Sequence, residues 1–197
     1  MNLDLKERNA FVCGASRGIG RAIAVELALL GASVTLLARN KAMLEEVKQS
    51  LSKSAGQEHR ILVGDFSNMD ELKKKIGEYI KEHPFTHILI NNTGGPKGGA
   101  LAEASPEEFI QAFSDHVLGN QVLVQAFLPG MKQAGYGRII NVTSLSVKEP
   151  IAGLGVSNTI RAAVTAWAKT LAGEVGKYGL TVNNVLPGYT RDRKSVV

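Results

Sequence analysis

The sequence predicts an α/β fold in which a doubly wound parallel sheet lies between two layers of helices. Short runs that are almost continuous in apolar residues alternate with longer helical patterns along the 197-residue chain. Strands of that composition are typical of a parallel sheet that is buried on both faces. Because neither an internal repeat nor a linker interrupts the alternation, we expect residues 1–197 to form one domain.

The first half of the chain contains three strand–helix pairs. Strands are expected over 9–15, 32–39 and 59–65, and helices over 19–30, 41–54 and 69–82. Gly31 ends the first helix, since glycine is favoured just beyond a helix C-terminus.

The second half of the chain repeats the alternation. Strands are expected over 86–92, 137–144 and 180–188, and helices over 106–134 and 156–176. Six strands in two such halves predict a Rossmann-type, three-layer α/β/α sandwich.

Composition and charge exclude several classes of function. The net charge of +5 comes from interspersed acidic and basic residues, which indicates solvated helix faces rather than a nucleic-acid surface. No apolar stretch is long enough to cross a membrane. Cys13 is the only cysteine, which excludes an intramolecular disulfide and favours a cytoplasmic protein. No metal site is predicted.

A glycine-rich turn joins the first strand to the first helix. The segment "CGASRGIG" carries Gly14, Gly18 and Gly20 at a strand–turn–helix junction. Glycine allows a tight turn there and lets backbone N–H groups approach a pyrophosphate at the helix N-terminus. The alternative is a plain turn at the start of a helix.

Three motifs together carry a resemblance to a known family. The G-x-x-x-G-x-G turn, "NNTG" at 91–94 and "PG" at 187–188 occur in the order found in short-chain dehydrogenases/reductases. The chain resembles this family over essentially its whole length, and "GASRGIGRAIA" is similar to its 3-oxoacyl-(acyl carrier protein) reductases. The resemblance implies an oxidoreductase that acts on a small carbonyl or alcohol substrate and assembles as a homodimer or homotetramer.

The resemblance also implies where the cofactor binds. The phosphates and ribose of the cofactor would contact the glycine turn, and its adenine would contact Asp65. Its nicotinamide would contact the segment after the sixth strand, and two further residues would line the cleft. The full set is Gly14, Ser16, Arg17, Gly18, Ile19, Gly20, Asp65, Asn91, Gly94, Pro187 and Gly188.

The end of the second strand indicates which nicotinamide cofactor binds. A carboxylate there would hold the ribose 2′-hydroxyl of NAD, but this chain has Arg39 and Asn40. With Arg17, two guanidinium groups would meet the 2′-phosphate of NADP. We therefore expect NADP(H) rather than NAD(H), the alternative being two solvated surface arginines.

The catalytic positions depart from the family pattern. The family uses an asparagine, a serine, a tyrosine and a lysine, and by its spacing these positions are His116, Ser144, Ser157 and Arg161 here. Only the serine is retained. Our hypothesis is that Ser144, helped by Ser157, polarises the substrate oxygen, and that Arg161 positions the nicotinamide ribose.

The source of the proton is open on sequence alone. His116 titrates near neutral pH in its ordinary state and could supply the proton, alone or through water; Asp115 could hold it protonated or face solvent. Tyr189 is the one tyrosine placed to substitute for the missing acid. In the simpler alternatives Ser157 or Asn158 caps the helix, Arg161 is a charge partner and His116 is a polar helix residue.

Two further alternatives concern the whole protein. An intact cofactor turn beside altered catalytic residues would also suit a protein that binds the cofactor without turnover, as a sensor or partner subunit. The family continues beyond "PG" into a substrate-covering segment and a seventh strand, so we expect the sequence to be incomplete at its C-terminal end.

Overall fold

The computed structural model describes residues 3–188. They contain a parallel sheet of six strands in the order β3-β2-β1-β4-β5-β6. The strands are β1 Asn9–Cys13, β2 Ser33–Ala38, β3 Arg60–Val63, β4 Ile88–Asn91, β5 Gly137–Val142 and β6 Leu180–Val185. The predicted doubly wound fold is confirmed.

Helices connect the strands and cover the sheet. They are α1 Gly18–Leu29, α2 Lys41–Ser50, α3 Met69–Glu82, α4 Pro106–Phe113, α5 Gly119–Gln133 and α6 Gly155–Val175. Their starts follow local signals: Asn40 and Asn68 accept hydrogen bonds from the first turns of α2 and α3, and Ser105 forms a capping box with Glu108.

Several boundaries differ from the prediction; the sixth strand, for example, was expected to reach residue 188 but ends at Val185. Helix α2 was expected to reach residue 54 but ends at Ser50. The single helix expected over 106–134 is broken into α4 and α5 by a π-helical turn, Ser114–Leu118. π-helical turns often occur at functional sites, and this one carries His116.

The core forms two layers, one on each face of the sheet. Ala10 and Val12 of β1 pack into one layer, whereas Phe11 and Cys13 pack into the other. Successive strand residues point to opposite faces, and all four are buried. This explains why the strands are apolar throughout.

The strand order determines where a ligand site is expected. β1 and β4 are neighbours, although the connections from these strands run in opposite directions across the sheet. Ligands of open α/β sheets bind outside the carboxyl ends of the strands at such a switch point. The glycine turn follows β1 and "NNTG" begins in β4, so the predicted motifs meet there.

Candidate functional site

The turn after β1 has a backbone that requires glycine. Gly14 and Gly18 have φ values of +60° and +54°, in the left-handed region that side chains disfavour. A β-carbon at Gly20 would collide with the carbonyl oxygen of Gly14. The turn is therefore closed tightly on itself before α1 begins.

Asn92 braces this turn and was missed by the sequence reasoning. Its Nδ2 donates to the carbonyl oxygens of Cys13 at 3.2 Å and Gly14 at 3.4 Å, so the loop after β4 is tied to the turn after β1. The repeated asparagine of "NNTG" was the available signal.

The N-terminus of α1 is free to bind an anion. The residue before it, Arg17, is exposed and extended; no side chain caps the helix, and no acidic residue lies in its first turn. The first N–H groups of a helix lack partners within the helix, and with its dipole they favour negative charge. Ser16 is half-buried in the same turn, and Ile19 packs against the core.

The predicted cofactor-selecting residues cluster beyond the end of β2. Arg39 Nη1 lies 3.9 Å from Asp65 Oδ2, and the two side chains are 75% and 38% exposed. The pair is loose and open to solvent. Asn40 also lies here, and its Oδ1 accepts from the N–H of Met43 as the cap of α2.

Asn91 belongs to a ladder of side-chain amides across three strands. Its Nδ2 donates to Asn141 Oδ1 at 2.8 Å, and Asn141 Nδ2 donates to Asn184 Oδ1 at 3.0 Å. Asn91 is 3% exposed, and its Oδ1 has no partner among residues 3–188. Asn141 and Asn184 were not anticipated, since only the strand register brings the three together.

His116 is buried on the π-helical turn. Its Nδ1 lies 2.6 Å from Thr93 Oγ1. Burial is the largest cause that lowers the pKa of His116, and the positive charge of Arg161 is the next. A backbone hydrogen bond to Gly94 acts in the opposite direction, and the resulting pKa is about 4. The expectation that this histidine titrates near neutral pH is therefore wrong, because a buried imidazolium beside a guanidinium is unfavourable.

Asp115 does not hold His116. Its Oδ1 accepts from Gln111 Nε2 at 2.7 Å, and burial raises its pKa. The alternative in which this carboxylate stabilises a protonated histidine finds no support in the contacts.

Arg161 lies in α6 beneath the loop that follows β4. Its Nη1 donates to the carbonyl oxygen of Val142 at 2.7 Å, which ties α6 to the end of β5. Its Nε is buried without a partner among the described residues, and burial lowers its pKa. The nearby Gly95 has no side chain to cover the guanidinium.

The stretch around Ser157 begins α6 in an unexpected way. The helix starts at Gly155 after Leu154, without a side-chain cap. The alternative in which Ser157 or Asn158 caps the helix is therefore wrong. Asn158 Nδ2 donates to Ile151 O at 2.9 Å, and Ser157, in the first turn, has a half-buried side chain.

Ser144 and the "PG" segment meet at the same edge of the sheet. Ser144 Oγ accepts from the N–H of Ser146 at 3.1 Å, which leaves its hydroxyl proton free to donate. The N–H of Leu145 donates to Pro187 O at 3.1 Å, and a β-carbon at Gly188 would lie 2.7 Å from Leu145 Cδ1. Tyr189 lies outside the described residues.

A cleft of about 220 Å³ opens beside His116 and the loop after β4. Its walls are the loop after β4, the α4 side and the start of α6; Gly94, Gly95, Lys97, Asp115, His116 and Val156 are among its lining residues. Gly94 has open space where a side chain would be. Residues 3–188 contain no cluster that could hold a metal ion and no helix suited to span a membrane.

The fold and this edge of the sheet define a dinucleotide-binding α/β protein. The family model described as short chain dehydrogenase matches residues 8–194. The chain belongs to that family of oxidoreductases.

Known relatives show how broad the family is. The chain is 35% identical over 190 residues to a 3-oxoacyl-(acyl-carrier-protein) reductase of Pseudomonas aeruginosa, covering 95% of this chain and 75% of that one. It is 30% identical over 182 residues to the inactive hydroxysteroid dehydrogenase-like protein 1 of Pongo abelii, covering 91% of this chain and 56% of that one.

A solved structure shares the fold closely. The L-sorbose reductase of Gluconobacter frateurii, complexed with NADPH and L-sorbose, superposes with a TM-score of 0.92 at 30% identity. The match covers 98% of this chain and 74% of that one.

Proposed function

We propose that this chain is an NADP(H)-dependent oxidoreductase that interconverts a carbonyl compound and its alcohol, in the manner of the 3-oxoacyl reductases it resembles. The observation that carries the proposal is the uncapped N-terminus of α1 behind the tight glycine turn, which offers unpaired N–H groups to a pyrophosphate. The related structure complexed with NADPH supports this choice of cofactor.

The residues of the chain fit that cofactor. Asn92 holds the glycine turn in place, and the open space at Gly18 allows close approach of a phosphate. Arg17 and Arg39 are exposed, and Arg39 is only loosely paired with Asp65. Both guanidinium groups would then be available to the 2′-phosphate, whereas Asp65 would contact the adenine.

When bound, NADP(H) supplies or accepts the hydride. Ser144 would donate its hydroxyl proton to the substrate oxygen, helped by Ser157 in the first turn of α6. Arg161 keeps a positive charge near the expected nicotinamide ribose and does not release its proton. Since a pKa lowered to about 4 keeps His116 neutral near pH 7, we propose that water is the proton donor and that His116 holds the Thr93 hydroxyl in position.

A second candidate function is cofactor binding without turnover, as a sensor or partner subunit. Ser157 and Arg161 stand where the family pattern has tyrosine and lysine, and a serine hydroxyl is a far weaker acid than an activated tyrosine. One relative of this chain is named as inactive, which supports this second candidate function.

We also propose self-association as a homodimer or homotetramer. Ile110, Phe113 and Leu118 along α4 and the π-helical turn are 69%, 43% and 45% exposed, and adjacent exposed apolar residues indicate an interaction surface. Sedimentation equilibrium tests this; a monomer at micromolar concentration would contradict it.

Two measurements on the same samples test the function. NADPH binding is followed by fluorescence, and NADPH oxidation is followed with ketoacyl thioesters, aldehydes and quinones. The double variant Ser157→Tyr with Arg161→Lys restores the family pattern and serves as a reference. Turnover by the unmodified chain supports the oxidoreductase; binding without turnover, together with turnover by the double variant, supports the sensor.

A further inference from the structure

Two arginines stack on one tyrosine at the edge of the sheet where the strands begin, opposite the glycine turn. The guanidinium carbons of Arg8 and Arg138 lie 4.2 Å and 4.1 Å from the centre of the Tyr136 ring, and all three residues are half-buried. Arg138 Nη1 also donates to Gly137 O at 3.0 Å and to Gly179 O at 3.1 Å. These contacts hold the guanidinium groups in place before a ligand arrives, which lowers the entropic cost of binding.

A second tyrosine beside the first is flanked by two lysines. Lys132 Nζ and Lys177 Nζ lie 4.4 Å and 5.3 Å from the centre of the Tyr178 ring, and this tyrosine is 38% exposed. The two tyrosines are neighbours, because β5 pairs with β6 from Gly137 and Leu180 onwards. Together these groups form what we call the basic patch: Arg8, Lys132, Tyr136, Arg138, Lys177 and Tyr178.

The positive charge of the basic patch is not offset by ion pairs. Those found among residues 3–188 include none of its four cations. Glu7 and Glu174, the acids closest to Arg8 and Lys177 in the sequence, are exposed and take no part in those ion pairs either. Like charges held at one edge of the sheet repel one another, and a bound anion would relieve that repulsion.

His87 adds a hydrogen-bond donor at the rim of the basic patch. The centre of its imidazole lies 6.1 Å from that of the Tyr136 ring, and its Nδ1 accepts from the N–H of Asn9 at 3.0 Å. The neutral ring then carries its proton on Nε2, which can donate. Burial lowers the pKa of His87, and the charge of Arg8 lowers it further, so this imidazole senses charge placed on the patch.

The chemistry of the basic patch favours carboxylates of an extended peptide over a nucleic acid. Both tyrosine rings are stacked by cations of the chain itself, so bases would have to displace those cations in order to stack. Arginine and tyrosine are enriched at the centres of protein interfaces. Alternate side chains of an extended peptide lie on one side, about 6.6 Å apart, a spacing that two guanidinium groups on one ring can span.

We infer that the basic patch binds an acidic, extended segment of a partner protein, whose carboxylates on alternate residues contact Arg8 and Arg138. The neighbouring lysines extend the contact to further carboxylates. Since the patch and the glycine turn lie at opposite edges of the sheet, cofactor and partner can be bound at the same time. The inference therefore goes beyond the proposed function and does not depend on it.

Matched peptides test the inference on the unmodified protein. One labelled peptide of twelve residues alternates glutamate with serine, and the other replaces each glutamate with glutamine. At low ionic strength, where surface charges are least screened, we expect the acidic peptide to bind at least about tenfold more tightly than the neutral one. Equal affinities, or tighter binding of a twelve-nucleotide oligothymidylate than of the acidic peptide, would overturn the inference.

Charge-matched variants locate the binding site. Arg8→Gln with Arg138→Gln should lower the affinity for the acidic peptide about tenfold, and Arg8→Lys with Arg138→Lys should retain part of it. The control is Lys73→Gln with Lys74→Gln, which removes the same charge from two exposed residues near the start of α3. An equal loss of affinity in the control would reduce the effect to net charge and contradict the inference.

NMR of the unmodified protein gives a second readout that needs no variant. The acidic peptide should raise the pKa of His87, because its carboxylates offset the charge of Arg8, whereas the pKa of His116 at the opposite edge should not change. An unchanged pKa of His87 at saturating peptide would overturn the inference.

Sedimentation of the protein alone tests a second copy of the chain as the occupant. If Arg8→Gln with Arg138→Gln lowers the mass of the assembly, the basic patch is an interface between copies and the inference fails. An unchanged mass, together with the loss of peptide binding, supports a separate acidic partner.

Discussion

Thr93 Oγ1 and His116 Nδ1 lie 2.6 Å apart, so a short hydrogen bond joins the loop after β4 to the π-helical turn of the long helix. His116 lines the candidate cleft, and so does Gly94, which follows Thr93. The imidazole is buried, and the positive charge of Arg161 acts on it, so both lower its tendency to take up a proton.

The stability of the protein should depend on pH through His116. Its pKa is about 4 in the folded protein against an ordinary 6.5, so the unfolded chain binds this proton more readily. The stabilising contribution is therefore complete above pH 6.5 and is lost as the pH falls towards 4. We expect the free energy of unfolding to fall by up to about 3 kcal/mol through this group.

Denaturant unfolding at several pH values checks that prediction. His59 and His87 also have lowered pKa values because of burial, so the comparison is with His116→Gln, which removes only one contribution. The difference in unfolding free energy between the two proteins should itself change across this range; a constant difference would contradict the prediction.

Removing the brace of the glycine turn should weaken cofactor binding. Asn92→Ala deletes the hydrogen bonds to Cys13 and Gly14. We expect NADPH affinity to fall about tenfold and the free energy of unfolding to fall by about 1–2 kcal/mol. Asn68→Ala is the control, because it removes the cap of α3 at a comparable cost in stability. NADPH titrations should show a lower affinity for Asn92→Ala than for Asn68→Ala. Equal affinities of the two variants would refute the role of Asn92.

A single methyl group at Gly20 should disrupt the turn. The β-carbon of Gly20→Ala would collide with Gly14 O and lie 2.7 Å from Asn92 Nδ2, so we expect loss of NADPH binding and a lower melting temperature. Gly173→Ala, in α6, meets no atom within 4 Å and should raise helix stability by about 0.5–1 kcal/mol. Thermal melts of both variants provide the test.

Discrimination between NADPH and NADH should depend on two exposed arginines. Removing Arg17 and Arg39 together should lower NADPH affinity about a hundredfold and leave NADH affinity nearly unchanged, because each guanidinium contributes charge-assisted hydrogen bonds to the 2′-phosphate. Arg21→Ala, one turn into α1 and exposed, is the control. A parallel loss of affinity for both cofactors would argue against a 2′-phosphate site.

The sequence predicted the six strands and the glycine turn because both depend on local patterns. Apolar runs marked each strand, and the glycines at 14, 18 and 20 marked the tight turn. The two arginines beyond the first and second strands were also found in exposed positions where a ligand could reach them.

The properties that could not be predicted from the sequence depend on tertiary contacts. The burial of His116 beside Arg161 reversed the expected titration, and a π-helical turn aimed this residue inwards. The ladder from Asn91 through Asn141 to Asn184 follows from the register of three strands, which no local pattern records.

The central claim is hydride transfer by a site without the family's tyrosine and lysine. Its most direct test is NADPH labelled with deuterium at both C4 positions of the nicotinamide, incubated with the protein and with ketoacyl thioesters and aldehydes. Mass spectrometry should find deuterium in the alcohol formed from at least one carbonyl substrate. Tight NADPH binding with no deuterium in any product would contradict the claim and identify a protein that binds the cofactor without turnover.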